Sequence, residues 1–528
     1  MVRGRNDAVV VGAGPNGLVA ANLLADAGWQ VVVLEEQTRV GGAAYSDRSL
    51  HPDFVTDWYS AFYPLGVASP ILTAMDLAEH GLRWSQSPTV LAHVLPDDRC
   101  AVLSRDRVAT ARSLDHFGSG DGAAWIELVE QFERIREPLL RALFTPFPPV
   151  RAGLSLARRL GAADLLRFLR FAVQPVRRAG DELFTGEGGP LLLAGNALHT
   201  DLPPEAAGSA IYGWLLAMLG QTVGFPVPLG GSSAISDALA ARLLAAGGEI
   251  RTGVAVRSLD IAGGRVRGVE LADGHHLPTR VVLADVGAPY LYRQLIGDRH
   301  LPARVIDDLR RFQWDSPTMK LNWALSAPIP WTATEARTAG TVHLGVDLNG
   351  LTMYAASLAA RRMPRDPFVL LGQMTTSDPS RSPAGTESSW AYTHVPNGAP
   401  GARAYAAQAR RIEAVIEARA PGFKDTIVAR QVQTPDDLQA SDANLVGGAV
   451  GGGTANIHQQ LIFRPIPGLG GAETPIDGVY LAGAAAHPGG GVHGGPGANA
   501  AAAAIRRARV TGPVRRRMLD LAFARIYR

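Results

Sequence analysis

The sequence has little cysteine and little lysine. Cys100 is the only cysteine in 528 residues, which excludes an intrachain disulfide, a redox-active cysteine pair and a cysteine-based zinc site. Of the 51 basic residues only Lys320 and Lys424 are lysines, so a lysine in this arginine-rich chain calls for a specific reason. The scarcity of cysteine fits a reducing, cytoplasmic environment.

Long apolar runs and a strong charge imbalance are also lacking. The longest nearly apolar run, "AIYGWLLAMLG" from Ala210, is shorter than the ~20 residues that cross a bilayer. The first apolar run leads directly into a glycine motif, so we expect no signal peptide. The formal net charge of +3 gives no reason to expect nucleic acid as a partner. The length and the 47% hydrophobic content predict a globular protein of two or three domains.

The N-terminal stretch "AVVVGAGPNGLVAANLLADAGWQVVVLEE" carries a nucleotide-binding pattern. It predicts a buried strand over residues 8–11, a helix over 18–27 and a second strand over 31–34. Three glycines between the first strand and the helix form G-x-G-x-x-G: Gly12, Gly14 and Gly17. They permit a tight turn, close approach to a pyrophosphate and close helix–strand packing. Glu35 follows the second strand, where an acid can bind ribose hydroxyls, so the pattern predicts dinucleotide binding.

A second glycine-rich stretch lies near the C-terminus, in "VYLAGAAAHPGGGVHGGPGANAAAAAIRR" (residues 479–507). It repeats the G-x-G-x-x-G spacing without a following strand and acid, so it predicts no second nucleotide domain. We expect a strand over 479–481 and a helix from Ala498. Because glycine leaves the main chain uncovered, residues 489–497 are expected to pass close to a ligand.

Several further stretches resemble the FAD-dependent oxidoreductases of the phytoene desaturase type, within the amine oxidase superfamily. They are "TRVGGAAYS", "SPTMKLNWALS", the central "VPLGGSSAISDALAARLLAAGGEIRTGVAVRSLDIAGGRVRGVELADGHHL" and the C-terminal glycine run. The stretches "AGNALHTDLPPEAAGSA", "WAYTHVP" and "NLVGGAVGGG" resemble in particular the branch of the pyridine nucleotide-disulphide oxidoreductase domain 2 protein. The resemblance covers nearly the whole chain.

The resemblance implies an α/β (α+β) fold with two discontinuous domains. Residues 1–75, 222–310 and 465–528 would form a Rossmann-like FAD-binding domain. Residues 76–221 and 311–464 would form a substrate domain of mixed sheet plus helices. Within the central stretch, the residue pattern predicts a helix over 236–246, a strand over 249–252 and a hairpin that turns at Gly263-Gly264.

The resemblance also implies which residues bind FAD non-covalently. They are Gly12, Gly14, Pro15, Asn16, Gly17, Glu35, Glu36, Gly41, Gly42, Ala43, Val256, Gly483, Ala484, Gly491 and Val492. Val256 would hold the adenine through its backbone, and the helix after the C-terminal glycines would face flavin O2 and N1. Many flavoproteins have an acid where Ala484 stands, so the ribityl contact there departs from the common pattern. Because no second nucleotide-binding unit is present for NAD(P)H, oxygen or a quinone is the expected electron acceptor.

Three residues are candidates for catalysis: Lys320, His487 and His493. In amine oxidases a lysine comparable to Lys320 reaches flavin N5 through a water, and the alternative is a lysine at a strand edge. The two histidines flank or lie in the glycine run, where they either exchange protons or hold structure. His199, His343 and His394 are weaker candidates. No spacing of histidines and carboxylates predicts a metal site.

The region 76–221 is predicted to be largely helical, with a break at "FTPFPPV". Residues 151–178 contain seven arginines and one acid, Asp164, with leucines and phenylalanines between them. Such a basic amphipathic helix suits either the surface of an anionic membrane or a solvated face over an apolar core. The C-terminal "RRRMLDLAFARIYR" allows the same two interpretations.

The favoured function is hydride transfer to flavin N5 from a small apolar substrate, isoprenoid or polyene in type, in a cytoplasmic or membrane-associated protein. A flavin amine oxidase is the second enzymatic alternative, and it predicts an aromatic pair beside the flavin. A non-catalytic carrier of lipids or prenylated proteins, like the Rab GDP-dissociation inhibitors, is the alternative of another class.

Overall fold

The structure, a computed structural model, describes residues 7–398, 400–468 and 470–528. In this part of the chain the strands are β1 Ala8–Val11, β2 Val31–Leu34, β3 Ser46–His51, β4 Phe54–Asp57, β5 Trp84–Ser85, β6 Thr89–Val94, β7 Cys100–Leu103, β8 Val227–Pro228, β9 Glu249–Arg251, β10 Val256–Ala262, β11 Arg265–Leu271, β12 His276–Pro278, β13 Val282–Ala284, β14 Thr318–Leu325, β15 Ala339–Leu344, β16 Val369–Gln373, β17 Glu387–His394, β18 Ile427–Gln433 and β19 Val479–Leu481.

The α-helices of the same residues follow in chain order. They are α1 Pro15–Asp26, α2 Pro64–Ala68, α3 Pro70–Thr73, α4 Arg107–Asp115, α5 Asp121–Phe144, α6 Val150–Val173, α7 Val176–Leu183, α8 Gly188–Leu198, α9 Ser209–Val223, α10 Ser233–Ala245, α11 Ala288–Tyr290, α12 Ala303–Arg310, α13 Leu348–Ala359, α14 Met374–Ser377, α15 Ala402–Arg419, α16 Pro435–Ser441, α17 Gly495–Ala508 and α18 Gly512–Ile526.

A five-stranded parallel sheet collects strands from distant parts of the chain, in the order β19-β13-β1-β2-β9. Its central strands are apolar at every position because both faces are covered. Helices α1, α10 and α17 pack on one face, and the β10–β12 sheet with a π-helical segment, Leu291–Gly297, lies on the other. The strands come from three stretches of sequence, near the N-terminus, in the middle and near the C-terminus.

A seven-stranded mixed sheet has the order β18-β14-β17-β16-β15-β6-β7, with only the β15–β6 pair parallel. One face is apolar and packs against α15. The opposite face is rich in polar and aromatic residues, and we call it the polar sheet face. Its members, which alternate with the apolar ones along each strand, are His93, Lys320, Asn322, Thr341, His343, Trp390, Tyr392, His394, Gln431 and Gln433.

Helices α5 to α9 build a separate core around Trp125 and Trp214. They match the helical region expected before residue 221, and the expected break falls between α5 and α6. Helix α6 is interrupted at Gly161, where φ is +74°. Leu166 and Leu169 on this helix are exposed. None of the helices formed by the described residues combines the length and the apolar character needed to cross a membrane.

The predicted fold class is confirmed, and several predicted elements have the expected positions. These include the strand over 31–34, the strand over 479–481 and the hairpin at Gly263-Gly264. Two helices begin three residues earlier than predicted, α1 at Pro15 and α17 at Gly495. In both, a proline near the start has a fixed φ suited to the first turn and needs no hydrogen bond from its nitrogen. Helix α10 also begins three residues early, at Ser233.

Candidate active site

The N-terminal glycines have no space for side chains. A Cβ on Gly17 would lie 2.1 Å from the Gly12 carbonyl oxygen, and one on Gly12 would lie 2.8 Å from the Asp285 carbonyl oxygen. Gly12 also has a φ of +95°, which other residues rarely adopt. The loop therefore runs directly against strand β13 and helix α1, as the glycine pattern predicts.

The N-termini of helices α1 and α17 meet beside this loop. A Cβ on Gly497 would lie 2.0 Å from the Asn16 carbonyl oxygen, so the first turn of α17 touches the first turn of α1. Gly494 packs on Val19 in the same way. Each helix N-terminus carries partial positive charge and unpaired N–H groups, which together favour a bound anion.

Backbone amides at this place are unpaired. Within the described residues, the amides of Gly14, Asn16, Gly42 and Ala43 donate to no acceptor. The side-chain oxygen of Asn16 is buried and likewise lacks a partner there. A Cβ on Gly42 would lie 3.2 Å from the Gly14 Cα, so both glycine segments line one cleft. The donors fit a pyrophosphate, and the crowding explains why the chain uses glycine in both segments.

Glu35 lies at the end of β2, as predicted, and its carboxylate turns toward the glycine loop. It accepts hydrogen bonds from the amides of Ala13, at 2.7 Å, and Gln37, at 2.9 Å. The Glu35 carbonyl accepts a hydrogen bond from the Val254 amide. Val256, the predicted adenine contact, follows two residues later in the chain. Glu36 is exposed.

Asp285 is a residue of this cleft that the sequence interpretation missed. It follows β13, and its carboxylate accepts the Gly17 amide at 2.8 Å. The pKa of Asp285 is raised to about 7, chiefly by burial and also by the nearby Asp442 and Glu35, against the lowering effect of the Gly17 hydrogen bond. The signal that could have found it is an acid directly after the apolar run "VVLA", because ligands of parallel sheets bind at the carboxyl ends of the strands.

The C-terminal glycine segment continues the cleft. Gly483 lies so close to β13 that a Cβ would be 2.7 Å from the Val286 carbonyl oxygen. The Ala484 carbonyl accepts a hydrogen bond from Arg464 at 2.7 Å. Gly491 has a φ of +115°, and the Val492 carbonyl oxygen would be 2.9 Å from a Cβ on Gly66. All four predicted cofactor residues of this segment therefore lie in the chain that connects β19 with α17.

A buried arginine and a carboxylate shape the loop 450–454, which packs on this segment. The Arg464 guanidinium, whose pKa burial lowers, donates to backbone carbonyls of Gly451, Gly452, Gly453, Thr454 and Ala484. The Asp315 carboxylate accepts amides of Val450, Gly451 and Gly453 at distances of 2.7 to 3.0 Å. Neither residue was predicted as part of the site, since no local motif marks them.

Lys320 lies in the middle of β14, between β17 and β18, so the alternative of a lysine at a strand edge is wrong. Its ammonium is buried, donates to the Asp57 carbonyl and lies 5.5 Å from the Trp390 ring centre. Burial lowers the pKa of Lys320 to about 7, against the opposing effect of Asp57. The side chain thus holds a proton that can leave near neutral pH, on the side of the sheet that faces β4.

Asp57 connects this region with a buried ion-pair group. Its carboxylate accepts from Arg381 at 2.8 Å and from the Ser232 amide at 2.8 Å. Arg381 also donates to Asp378 at 2.8 Å, and all three charged side chains are fully buried. The group fixes the backbone of residue 57, whose carbonyl oxygen accepts the hydrogen bond from the Lys320 ammonium.

The two histidines of the glycine run hold backbone groups. His493 is buried: its Nδ1 accepts from the Gly495 amide at 3.1 Å and its Nε2 lies 3.3 Å from the Gly490 carbonyl. Burial lowers the pKa of His493 to about 4, so the ring is neutral. His487 Nε2 lies 3.0 Å from the Thr145 carbonyl, which joins the run to the end of α5. Their predicted catalytic role remains a prediction.

Comparison with known proteins agrees with this arrangement. A family model described as an NAD(P)-binding Rossmann-like domain matches residues 10–75. Pyridine nucleotide-disulfide oxidoreductase domain-containing protein 2 of Mus musculus is 30% identical, over 95% of this chain and 93% of its own. The lycopene-forming phytoene desaturase of Pseudescherichia vulneris is 25% identical, over 92% of this chain and 96% of its own.

Solved structures share the fold. An oxidoreductase from Methanosarcina mazei has a TM-score of 0.63 at 16% identity, covering 94% of this chain and 99% of its own. Cyclohexylamine oxidase from Brevibacterium oxydans has a TM-score of 0.56 at 16% identity, covering 95% and 99%. A Rab GDI from Plasmodium falciparum has a TM-score of 0.52 at 13% identity, covering 81% and 89%. At these identities the similarity concerns the fold alone.

The fold, the glycine-lined cleft and the related sequences define an oxidoreductase of the FAD-dependent superfamily. Within it, the chain belongs to the family of pyridine nucleotide-disulfide oxidoreductase domain-containing protein 2. The resemblance inferred from the sequence motifs is thereby confirmed.

Proposed function

We propose that the chain binds FAD non-covalently in the cleft between the two glycine segments and oxidises a largely apolar substrate. The observation that carries this proposal is the convergence of two helix N-termini on amides that lack partners within the described residues. Gly14, Asn16, Gly42 and Ala43 would hold the pyrophosphate, and Glu35 would accept from the ribose. Bound FAD supplies the hydride acceptor.

The residues of the chain orient this chemistry. Arg464 and Asp315 fix the glycine loop that packs beside Ala484, and His493 fixes the turn before α17. Lys320 holds a proton next to β4, where a small change of its environment moves its protonation near pH 7. We propose that it serves as the titratable hydrogen-bond donor of the site, while hydride transfer itself needs no nucleophile. Oxygen or a quinone is the proposed electron acceptor.

The uncharged form of Asp285 is part of this proposal. With Glu35 and Asp442 it gives the cleft three acids, which disfavour a pyrophosphate if all are ionised. Since burial raises the pKa of both Asp285 and Asp442, protonation can remove this repulsion near neutral pH. We therefore expect FAD to bind more weakly as the pH rises through about 7, the pKa of Asp285.

The test is a titration of flavin-depleted protein with FAD, followed through the quenching of flavin fluorescence. Wild type should bind FAD in preference to FMN, because the adenosine half contacts Glu35. Glu35→Gln keeps the side-chain size and should weaken FAD binding about fivefold to thirtyfold, the loss of a charge-assisted hydrogen bond. Glu130→Gln is the control, because Glu130 is exposed on α5 and lies outside the predicted cofactor residues, and it should bind normally. Equal weakening in both variants would contradict the placement of the ribose.

Amine oxidation is a second candidate, favoured by one observation. Trp390 and Tyr392 stack with centroids 6.0 Å apart and an interplanar angle of 19°, and Trp390 lies beside Lys320. The amine oxidase alternative predicts an aromatic pair beside the flavin, and we propose these two rings as the candidates for that pair. Reduction of the bound flavin by cyclohexylamine or putrescine under anaerobic conditions would support amine oxidation, and an unchanged flavin spectrum would count against it.

A further inference from the structure

The polar sheet face extends well beyond Lys320. Ladder pairs place Gln433, Lys320, Tyr392, Leu370, His343 and His93 in one row across six strands. His394 follows Tyr392 on the same side of β17, with ring centres 5.8 Å apart. Lys320 and the buried histidines thus share one surface. His394 lies on the strand next to Lys320, and two strands lie between Lys320 and His343.

Many polar atoms of this face have no partner. Among the described residues, the buried side-chain atoms without a hydrogen bond include six from this one face: His93 Nδ1, Asn322 Oδ1, Thr341 Oγ1, His343 Nδ1, His394 Nε2 and Gln431 Oε1. Each such group costs about 1–3 kcal/mol if it stays unpaired. His343 Nδ1 lies against helix α8, and adjacent strands are about 4.8 Å apart, so one group cannot reach the whole row. His394 Nε2, on the strand next to Lys320, is the nitrogen left for a ligand.

Three of the buried histidines, His93, His199 and His343, are neutral donors and acceptors, because burial lowers the pKa of each. His199 Nε2 and His343 Nε2 are 2.9 Å apart, so one ring donates a proton to the other. Burial lowers the pKa of His93 to about 4 and that of His199 to about 3. Asp201 is the buried carboxyl group near His394, and burial raises its pKa as well. No group of three or more histidines, cysteines or acids in the described chain is arranged to hold a metal ion.

Apolar rings surround these groups. His343 lies 5.3 Å from Phe368, His199 lies 6.4 Å from Phe225, and Phe62 lies 5.9 Å from Trp390. Helix α8 covers the part of the face around His343, where a Cβ on Gly195 would be 2.3 Å from Nδ1, so the part around His394 is left for a ligand. A ligand of this surface therefore meets aromatic walls and a few uncharged polar atoms, as in most small-molecule sites.

We propose that the polar sheet face holds a neutral oxygen group, a hydroxyl or carbonyl, of an otherwise apolar substrate. The inference rests on the proposed oxidoreductase function and narrows its substrate class from plain hydrocarbons to oxygenated ones. A hydroxyl both donates and accepts, which matches imidazoles that offer one of each. An ammonium can only donate to an imidazole nitrogen and a carboxylate can only accept from one, whereas a hydroxyl can do either.

The test compares three probes with the same isoprenoid chain: farnesene, farnesol and farnesylamine. Their dissociation constants are measured by equilibrium dialysis with the flavin-containing protein as purified. We expect farnesol to bind about tenfold more tightly than farnesene, the equivalent of one or two net hydrogen bonds. Farnesylamine should bind no better than farnesene. Equal binding of farnesene and farnesol, tightest binding of farnesylamine or binding of none of the three would overturn the proposal.

Two variants test whether the polar sheet face causes the preference for farnesol over farnesene. His394→Phe removes an unpaired nitrogen and should lower farnesol affinity about fivefold to tenfold while farnesene affinity stays constant. His394→Leu should act in the same direction and serves if His394→Phe fails to fold. The control is His275→Phe, at an 82% exposed side chain on the other domain's hairpin. A preference for farnesol that survives both face variants would overturn the assignment.

The flavin content of the same preparation keeps this test separate from the proposed function. Bound flavin with no preference for farnesol refutes the substrate class and leaves the enzyme proposal intact. A preparation that binds no FAD refutes the enzyme proposal, and farnesol preference then still reports on the polar sheet face.

Discussion

Individual residues of the site are held in protonation states that water would not give them. Lys320 is the clearest example, since the chain has only one other lysine, Lys424, which is exposed. A charged ammonium is disfavoured in the buried surroundings of β14, so the folded protein releases its proton more readily than the unfolded chain.

Replacing Lys320 by methionine should therefore change how stability depends on pH. Between about pH 7 and 10.5 the unfolded chain binds a proton that the folded chain has lost, so wild-type stability rises with pH in this window. Lys320→Met lacks this titration, and its stability relative to wild type should fall as the pH rises from 7 to about 10. Urea unfolding at both pH values measures the difference. Lys424→Met is the control and should show no such change.

The residue scale also shows the limits of sequence interpretation. The N-terminal glycines and Glu35 were predictable, because a local pattern of strand, turn, helix and acid specifies them. Asp285, Arg464 and Asp315 were not predicted, since their roles come from contacts with segments up to 268 residues away. The sequence singled out Lys320 by its rarity but did not place it on an interior strand, next to the edge strand β18, of a seven-stranded sheet.

At the scale of elements, the contact between α1 and α17 positions the cleft. Glycine permits this contact, so a methyl group at Gly497 must push the two helices apart. We expect Gly497→Ala to lower the free energy of unfolding by about 1–3 kcal/mol through overpacking and to weaken FAD binding as well.

Gly153→Ala provides the matched comparison for that substitution. Gly153 lies inside α6, and a Cβ there would meet no atom within 4 Å. Alanine should stabilise this helix by about 0.5–1 kcal/mol, because glycine loses more backbone entropy on folding. Thermal unfolding of Gly497→Ala and Gly153→Ala measures the two changes in stability. A Gly497→Ala protein as stable as Gly153→Ala would contradict the tight contact of α1 with α17.

Element boundaries were predicted less well than element types. The largely helical character of the region before residue 221 was predicted correctly. The starts of α1 and α17 were placed too late because their first turns consist of glycine, proline and asparagine, which have low helix propensity. Tertiary contacts between these two helices override that local preference.

At the scale of the whole molecule, the Asp57–Arg381–Asp378 group joins the two-stranded β3–β4 sheet to the seven-stranded sheet. Asp57 ends β4, while Arg381 and Asp378 lie in the connection between β16 and β17. Arg381→Met leaves two buried carboxylates without their cation and should cost about 3–5 kcal/mol in the free energy of unfolding. Arg310→Met, which breaks an exposed pair with Asp307, should cost less than about 1 kcal/mol. Similar losses in the two variants would refute this joint between the sheets.

The division into an FAD-binding domain and a substrate domain remains a prediction, with bounds at 75, 221, 310 and 464. It followed from the family resemblance. Local patterns alone could not have paired β1 with β13, because the first partners, Val9 and Val282, are 282 − 9 = 273 positions apart in the sequence. Limited proteolysis between residues 70 and 90 of the folded protein would be one way to examine the first bound.

The most direct test of the central claim is the absorption spectrum of the purified protein, recorded before and after denaturation. The account predicts flavin bands in the near-ultraviolet and blue, and release of FAD into the supernatant once the protein is denatured and removed. A colourless protein that also takes up no added FAD would contradict the enzyme assignment and favour a carrier on the same fold.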